Sequence, residues 1–245
     1  MNSKMTRVGL LGYGKMGKAI DQLAAQHQVE IVWRTGRNDR ALLTPEFLNT
    51  ADVVIEFSRP EAGYDNVMLC LNAGVPVVSG TTGWQNQLED ARQACNNLGG
   101  AFIWASNFSV GVNLFFEINR VVTRLMAAHP GYDAALTEIH HIHKLDAPSG
   151  TGVSLAEDLI AASSGRYSAW AMEQADLSAE VLPLTAIREG EVPGTHLITW
   201  NGANDAITIE HKAHNRNGFA SGALIAARWL AGKKGLFTMK DVLGL

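Results

Sequence analysis

Short apolar runs alternate with amphipathic stretches along the first hundred residues. The apolar runs predict strands at residues 8–11, 30–33, 51–57, 75–79 and 101–104. Between them, apolar side chains recur at helical spacing in residues 15–26, 61–72 and 85–97. Apolar strands separated by helices are typical of a parallel sheet that is covered on both faces. The first part of the chain is therefore predicted to be an α/β domain.

The pattern changes after residue 110. Residues 112–128 predict a long amphipathic helix, and strand-like segments follow at 134–143, 181–188, 196–201 and 206–214. One helix, at residues 153–162, interrupts these strands, and the last helix covers residues 218–231. Strands in succession indicate a second domain with a mixed sheet, and we expect the last helix to return to the first domain.

Composition narrows the class of protein. The chain has 245 residues, of which 47% are hydrophobic and 18% are charged, as is usual for a soluble globular protein. A net charge of −4 argues against nucleic acid as the main partner. Cys70 and Cys95 lie in helix-like segments without metal-binding spacing and are predicted to be buried thiols of a reducing compartment. No signal peptide or membrane segment is recognised, so we expect a cytoplasmic protein.

A glycine-rich loop joins the first predicted strand to the first helix. The motif G-x-G-x-x-G is formed by Gly12, Tyr13, Gly14, Lys15, Met16 and Gly17. Its glycines permit a tight turn and let the backbone approach a pyrophosphate, while the helix N-terminus supplies free N–H groups. The order of strand, loop and helix predicts a dinucleotide site.

The end of the second strand bears on which dinucleotide is bound. An acid that binds the ribose hydroxyls of NAD is expected there, but the chain has Trp33, Arg34 and Thr35, with Arg37 nearby. Arg34 can pair with the 2′-phosphate of NADPH, or it can be an ordinary solvated cation of a loop. The expected cofactor is therefore NADPH, NADH or both.

Two polar loops follow later strands, at the sheet edge where open α/β sheets bind ligands. The first contains Gly80, Thr81 and Thr82. The second contains Ala105, Ser106, Asn107 and Phe108. Their hydroxyls, amide and backbone donors suit a nicotinamide ribose and carboxamide, although each loop alone is also consistent with an ordinary polar connection.

Three histidines and a lysine lie within five positions: His140, His141, His143 and Lys144. Imidazole titrates near neutral pH and ammonium is a compact cation, so the cluster suits a carboxylate-rich substrate that receives a proton. On a regular strand Glu138 and His140 share one face, while His141 and His143 share the other. The histidines therefore cannot all do the same work, and structural hydrogen bonding is the alternative role for some of them.

Zinc binding is a second alternative for three close histidines. Zinc sites usually add a carboxylate or thiolate ligand, and Lys144 would repel the metal, so no metal is expected. Downstream, Ser149 or Thr151 can cap the helix that follows, and its free N–H groups suit a carboxylate near Gly150. A plain helix cap would explain the same residues.

The segment from Glu138 to Thr151, EIHHIHKLDAPSGT, closely resembles the signature of the dihydrodipicolinate reductase (4-hydroxy-tetrahydrodipicolinate reductase) family. Further blocks similar to the family's occur in the same order at residues 12–17, 57–61, 80–83, 107–113, 187–190 and 235–237. The resemblance implies NAD(P)H-dependent reduction of 4-hydroxy-tetrahydrodipicolinate (dihydrodipicolinate) to tetrahydrodipicolinate, in the diaminopimelate route to lysine.

The resemblance also implies roles for residues and domains. His140 would be the acid/base residue and Lys144 a proton donor, while His141, Gly150 and Thr151 would bind substrate. Residues 12–17, 80–82 and 105–108 would line the dinucleotide. The implied fold is a Rossmann-like domain of residues 1–107 plus 217–245, with an α+β mixed-sheet domain of residues 108–216 that binds substrate and builds a homotetramer.

Two other functions fit parts of the pattern. A catalytically silent dinucleotide sensor would share the fold but would need no proton donor. An amino-acid or semialdehyde dehydrogenase would share the two domains, but semialdehyde enzymes need a nucleophilic cysteine, and both cysteines lie in the wrong segments. The chain also departs from the family, because it is shorter than many members around residues 36–45 and lacks the acidic ribose-binding residue.

Overall fold

The computed structural model describes residues 5–173 and 176–245. In chain order its strands are β1 Thr6–Leu11, β2 Val29–Thr35, β3 Val53–Glu56, β4 Val77–Ser79, β5 Ala101–Trp104, β6 Asp133–His140, β7 Ala169–Met172, β8 Val181–Arg188, β9 Thr195–Asn201, β10 Ala206–Lys212 and β11 Gly235–Phe237. Its α-helices are α1 Lys15–Leu23, α2 Pro45–Leu48, α3 Pro60–Asn72, α4 Leu88–Leu98, α5 Val110–Ala127, α6 Gly150–Ala162, α7 Asn217–Leu230 and α8 Met239–Leu243. The chain forms two compact units, Met1–Val110 with Asn217–Leu245, and Gly111–Arg216.

The first unit contains a parallel sheet of six strands in the order β11-β5-β4-β3-β1-β2. Its central strands are apolar on both sides, so helices must cover both faces of the sheet. One face packs Val8 and Ile55 against α1 and α7, and the other packs Val54 and Val77 against α3 and α4. The Rossmann-like fold predicted for this part of the chain is confirmed.

Both cysteines lie in this first unit, on the helices that cover its second face. Cys70 on α3 and Cys95 on α4 are buried and free of disulfides, as predicted. Burial raises the pKa of the Cys70 thiol far above its usual range, which makes it an inert packing residue.

The second unit contains a mixed sheet of five strands in the order β10-β9-β6-β8-β7. β6 pairs antiparallel with β9 and parallel with β8. Helices α5 and α6 cover one face, where Phe115, Leu155 and Leu159 pack with Leu136 and Trp200. The mixed sheet predicted from successive strands is confirmed.

β6 ends earlier than the sequence pattern predicts. Its last residue is His140, and the chain then turns, with the N–H of Lys144 donating to the carbonyl oxygen of His141 at 3.1 Å. His141 and His143 therefore lie in this turn, and the prediction that they share a strand face is wrong. Backbone hydrogen bonds create this turn, and the alternation of apolar side chains carries no signal of it.

Several short elements escape the sequence pattern altogether. β7 is a four-residue strand at the sheet edge without a fully buried position, β11 has only three residues, and α8 has five. The segment after β2 was also missed, and it forms a 3₁₀ helix over Arg37–Leu42 and then α2. None of the helices within residues 5–173 and 176–245 combines the length and apolar character needed to span a membrane.

Candidate functional site

The loop between β1 and α1 has the geometry of a dinucleotide-binding turn. Gly12 has a φ of +102°, and a Cβ there would lie 2.0 Å from the carbonyl oxygen of Phe57. A Cβ on Gly17 would lie 2.3 Å from the carbonyl oxygen of Gly12, whereas a Cβ on Gly14 would meet nothing within 4 Å. The fold thus requires the first and third glycines, and Gly14 leaves open space beside the N-terminus of α1, where a pyrophosphate fits.

Two adjoining cavities surround this loop. The larger, of about 450 Å³, is lined by Gly14, Ser58 and the three arginines Arg37, Arg40 and Arg59, among others. The smaller, of about 320 Å³, is lined by residues that include Gly14, Lys15, Met16, Ser58, Gly80, Thr81 and Thr82. The structure therefore brings the predicted glycine loop and the predicted loop 80–82 together. Guanidinium groups at the larger cavity suit a phosphate.

Arg34 is held away from both cavities by an acid. Its Nε and Nη2 donate to the two carboxylate oxygens of Asp21 at 2.6 and 2.5 Å, and the Tyr13 hydroxyl donates to the same carboxylate at 2.6 Å. The hydrogen bonds from Arg34 lower the pKa of Asp21. The charge of Arg34 is thus balanced within the protein, and its role as a reader of the 2′-phosphate remains a prediction.

The loop of residues 105–108 does not contribute to the lining of either cavity. The side chain of Phe108 is 1% exposed and packs in the core, with its ring centroid 5.9 Å from that of Phe57. Asn107 is also buried, and its Oδ1 accepts the N–H of Ser109 at 2.9 Å. Packing therefore accounts for Phe108, and cofactor binding by Ala105, Ser106, Asn107 and Phe108 remains a prediction.

A buried carboxyl group lies beneath the loops of the two cavities. Glu56, the last residue of β3, is 0% exposed and accepts the N–H of Ser58 at 3.0 Å and the hydroxyls of Ser79 and Thr81 at 2.6 and 2.8 Å. The Ser58 hydroxyl donates to it as well. Sequence reasoning missed Glu56, although an acid within an apolar strand is a signal that could have identified it.

In the second unit, Glu138 and His140 share the buried face of β6, as the strand periodicity predicts. The Glu138 oxygens accept the N–H of Ser149 at 3.0 and 2.9 Å, the Ser149 hydroxyl, and Nη2 of Arg188 at 3.2 Å. Nδ1 of His140 lies 3.7 Å from Oε1 of Glu138. Burial alone would raise the pKa of Glu138, but the nearby His140 imidazole and the hydrogen bonds from Ser149 outweigh it and lower the pKa to about 2.

His196 is a buried member of this site that sequence reasoning missed. It pairs in register with Glu138, and its ring centroid lies 5.2 Å from that of His140. Burial, followed by the charge on His140, lowers the pKa of His196 to about 4, so its ring is neutral at neutral pH. Its position was readable in principle, because His196 alternates with buried Ile198 along β9.

Lys144 lies in the turn that follows β6. Its Nζ donates to both carboxylate oxygens of Asp146 at 2.7 and 2.8 Å, and its side chain is 22% exposed. Burial would raise the pKa of Asp146, but the hydrogen bond from Lys144 lowers it. Arg188, which contacts Glu138, also donates to the carbonyl oxygen of Asp146 at 2.5 Å. The guanidinium thus ties the turn to the buried carboxylate.

The other two clustered histidines differ in exposure. His141 is half-buried. The imidazole of His143 is 70% exposed and lies 3.3 Å from Glu191, which is itself 80% exposed. His143 is therefore a surface residue, which suits it as a control position for mutagenesis.

The N-terminus of α6 lies against Glu138. Ser149 is the N-cap, and its hydroxyl accepts the N–H of Gly152 at 3.0 Å, which confirms one of the two predicted caps. A Cβ on Gly152 would lie 2.5 Å from Oε2 of Glu138, so glycine permits this close approach. Gly150 and Thr151 form the first turn, the part of a helix that favours an anion.

A metal alternative can be tested on this geometry. Possible ligand atoms of Glu138, His140 and His196 lie within 4.8 Å of one another, and all three residues are buried. The carboxylate, however, already accepts hydrogen bonds from Ser149 and from the Arg188 guanidinium, and that cation opposes a second one. The contacts favour a proton-carrying network here, and the absence of a metal remains a prediction.

Two family models match nearly the whole chain. Dihydrodipicolinate reductase, N-terminus, matches residues 6–108, and dihydrodipicolinate reductase, C-terminus, matches residues 111–243. The 4-hydroxy-tetrahydrodipicolinate reductase of Christiangramia forsetii is 42% identical over 236 residues, which are 96% of this chain and 97% of the relative. That of Chromobacterium violaceum is 38% identical over 221 residues, covering 86% and 81%.

Solved structures give the same result for the fold. Dipicolinate-bound dihydrodipicolinate reductase from Paenisporosarcina sp. TG-14 superposes with a TM-score of 0.76 at 25% identity, covering 97% of this chain and 98% of that one. An amine dehydrogenase from Mycobacterium smegmatis reaches a TM-score of 0.57 at 10% identity. The second similarity concerns the fold alone.

Proposed function

The chain belongs to the dihydrodipicolinate reductase family, and on that basis we propose that it reduces 4-hydroxy-tetrahydrodipicolinate (dihydrodipicolinate) to tetrahydrodipicolinate with NAD(P)H, in the diaminopimelate route to lysine. Relatives named for this activity are similar over most of both chains. One structural observation carries the proposal. An imidazole, a guanidinium and a helix N-terminus are brought together around Glu138, and the Lys144 ammonium lies in the turn that follows β6. This set suits a dicarboxylate that must receive a proton.

We assign cofactor binding to the first unit, where the cradle at Gly14 fits a pyrophosphate. When bound, the nicotinamide cofactor supplies the hydride. The residues proposed to hold it are Gly12, Tyr13, Gly14, Lys15, Met16, Gly17, Arg34, Gly80, Thr81, Thr82, Ala105, Ser106, Asn107 and Phe108. The cavities that share Gly14 support the glycine loop and the threonine loop in this set.

We assign proton delivery and substrate binding to the second unit. Hydride addition must be matched by a proton, and Lys144 or His140 would give it, a contribution of about 10²–10⁴-fold in rate. Nζ of Lys144 lies 2.7 Å from the carboxylate of Asp146. His141, Gly150 and Thr151 would hold the substrate carboxylates, because a helix N-terminus and an imidazole both donate to anions.

The test replaces the two proposed donors separately. Lys144→Ala and His140→Gln should each lower turnover about 10²-fold or more, measured as NAD(P)H oxidation with freshly prepared substrate, while cofactor affinity stays close to that of the unmodified protein. His143→Gln is the matched control, because this surface histidine lies in the same segment. Wild-type turnover in both test variants would contradict the assigned roles. If the unmodified protein bound the cofactor but did not reduce the substrate, the function of a dinucleotide sensor would be favoured instead.

We propose that NADPH, NADH or both serve as cofactor, and that arginines decide between them. Arg34 is engaged by Asp21, whereas Arg37 and Arg40 line the larger cavity. Comparison of Arg34→Ala with Arg37→Ala should show which guanidinium reads the 2′-phosphate. Loss of the guanidinium that binds the 2′-phosphate should raise KM for NADPH about 5- to 10-fold and leave KM for NADH unchanged. Equal effects on both cofactors would contradict recognition of the 2′-phosphate.

We further propose that residues 1–107 plus 217–245 form the cofactor domain and residues 108–216 the substrate and assembly domain of a cytoplasmic homotetramer. The sheet face opposite α5 and α6 supports assembly, since it presents Ile139 and Leu197 half-buried and Ile187 38% exposed. Light scattering should give a mass of four chains, and Ile187→Asp should lower it. A monomeric mass for the unmodified protein would contradict the tetramer.

A further inference from the structure

Glu138 makes two kinds of contact. The first kind fixes its position: Ser149 donates to it from the backbone N–H at 2.9 Å and from the hydroxyl. The second kind involves groups that carry or can carry positive charge, with Nη2 of Arg188 at 3.2 Å and Nδ1 of His140 at 3.7 Å. A carboxylate held rigidly beside an imidazole can control where that imidazole keeps its proton.

The hydrogen bonding of the His140 ring explains why the neighbouring carboxylate of Glu138 matters. Nδ1 of His140 is buried and has no hydrogen-bond partner within the described residues. A buried polar atom is costly to leave unpaired, and the Glu138 oxygen is an acceptor slightly beyond hydrogen-bond distance. Catalytic hydrogen bonds are often long in the free enzyme and shorten in the complex. The side chain is 9% exposed, so solvent reaches the ring through its other atoms.

We propose that Glu138 is a positioning residue for His140. Its carboxylate accepts the Nδ1 proton, leaves Nε2 as the nitrogen available to the substrate, and stabilises the ring when Nε2 also carries a proton. The inference rests on the proposed function, because an acid/base role of His140 is what gives the pairing a catalytic purpose.

The other charged and titratable groups around the ring are consistent with this pairing. They are His196 on β9, Arg188 on β8, His211 on β10, and Lys144 and Asp146 in the turn after β6. Burial lowers the pKa of both His196 and His211, so neither competes as a cation. Arg188 and Lys144 are cations, and each contacts an acid, Arg188 the carboxylate of Glu138 and Lys144 that of Asp146.

Histidine ¹⁵N NMR on the full chain tests the pairing without substrate. Neutral His140, assigned by comparison with His140→Gln, should carry its proton on Nδ1 in the free protein. A neutral ring protonated on Nε2 with a bare Nδ1 would overturn the inference. Because this measurement uses the unmodified protein, it decides the matter even where a variant fails to fold.

The variant Glu138→Gln then tests the catalytic purpose. Glutamine keeps the size and removes the charge, and its single oxygen accepts from either Ser149 or Arg188, with the NH₂ group toward the other donor. We expect kcat to fall about 10- to 100-fold with KM for the cofactor unchanged. The loss of turnover at alkaline pH should also begin at a lower pH, since the protonated ring is less stable. Glu191→Gln, an exposed acid beside His143, is the matched control.

The outcomes separate the two proposals. Unchanged kcat and an unchanged pH profile in Glu138→Gln, in a protein that reduces the substrate, would overturn the positioning role and leave the proposed function intact. An unmodified protein that shows the Nδ1 proton but reduces no dihydrodipicolinate would contradict the proposed function, while the pairing would stand.

Discussion

Each of the two units contains a fully buried glutamate, and the two are held in different ways. Glu56 and Glu138 are both 0% exposed. Glu56 accepts hydrogen bonds from hydroxyls and a backbone N–H, all of them neutral. Glu138 also accepts from a serine, but it shares its oxygens with the Arg188 guanidinium and faces His140. Burial is the same in the two places, whereas the charge around the carboxyl group is not.

The difference in surrounding charge indicates that Glu56 and Glu138 have different roles. Neutral donors satisfy the hydrogen-bonding needs of a buried carboxyl group, so Glu56 fixes the positions of Ser58 and Thr81 at the loops that line the two cavities. The Ser58 hydroxyl in turn accepts from Asn66 at 3.0 Å, and Asn66 accepts from Arg40 at 3.1 Å. Glu138 instead contacts a permanent cation, Arg188, and lies beside His140, whose charge can change. We interpret the first arrangement as a scaffold and the second, in line with the proposed pairing of Glu138 with His140, as one that controls a proton.

The largest expected difference between the two sites is in stability. Glu138→Ala should cost about 3–5 kcal/mol, because it removes the buried carboxylate that accepts from Ser149 and from the half-buried guanidinium of Arg188. Glu56→Ala should cost only about 1–3 kcal/mol, since neutral hydroxyls can turn toward other acceptors or water. Native-state hydrogen exchange, read separately on β6 and β3, measures each site in its own unit.

Glu191→Ala provides the control for these two variants. This exposed acid should change stability by no more than about 0.5 kcal/mol. Losses of the same size for Glu56→Ala and Glu138→Ala would show that the charge of the surroundings does not distinguish the two sites.

Acid should weaken the second unit through the same cluster. Folding lowers the pKa of His196 from 6.5 to about 4, chiefly through burial. Between these two pH values the unfolded chain binds a proton on this ring and the native state does not. The resulting stabilisation is fully present above pH 6.5 and is lost as the pH falls towards 4, a change of up to about 3 kcal/mol. Between pH 4.5 and 2, protonation of Glu138 removes a further contribution, because its pKa is lowered on folding.

Hydrogen exchange on β9 at pH 7, 5.5 and 4 measures this loss. His196→Gln should flatten the dependence between pH 6.5 and 4, whereas His143→Gln, at the surface, should leave it unchanged. An equally steep loss in His196→Gln would show that another group is responsible.

The parts of this comparison that the sequence predicts are local in the chain. The glycine loop is readable because strand, turn and helix are contiguous. The shared face of Glu138 and His140 follows from the two-residue period of a strand, and the Ser149 cap follows from its place before a helix. Each of these depends on the backbone within a few residues.

The parts that escape prediction depend on contacts across the fold. From the sequence, Arg34 could be a solvated cation or a partner of the 2′-phosphate, and only the fold places Asp21 against it. His196 and Arg188 lie on strands far along the chain, and only the order β9-β6-β8 brings them to Glu138. The end of β6 at His140 is set by backbone hydrogen bonds of the turn, which side-chain periodicity does not encode.

The smallest expected effect comes from a glutamine substitution at Glu56, and it tests most directly whether Glu56 and Glu138 have different roles. Glu56→Gln places an NH₂ group where hydroxyls of Ser79 or Thr81 donate, so a loop of the smaller cavity must shift. We expect cofactor affinity to fall about 10-fold, measured by nucleotide fluorescence titration, while kcat at saturating cofactor stays within about 2-fold. Glu138→Gln should show the reverse. Glu61→Gln, an exposed acid at the start of α3, should alter neither quantity. If Glu56→Gln lowered kcat and spared cofactor affinity, Glu56 would serve the reaction itself, and the division between a scaffold acid and a proton-controlling acid would not hold.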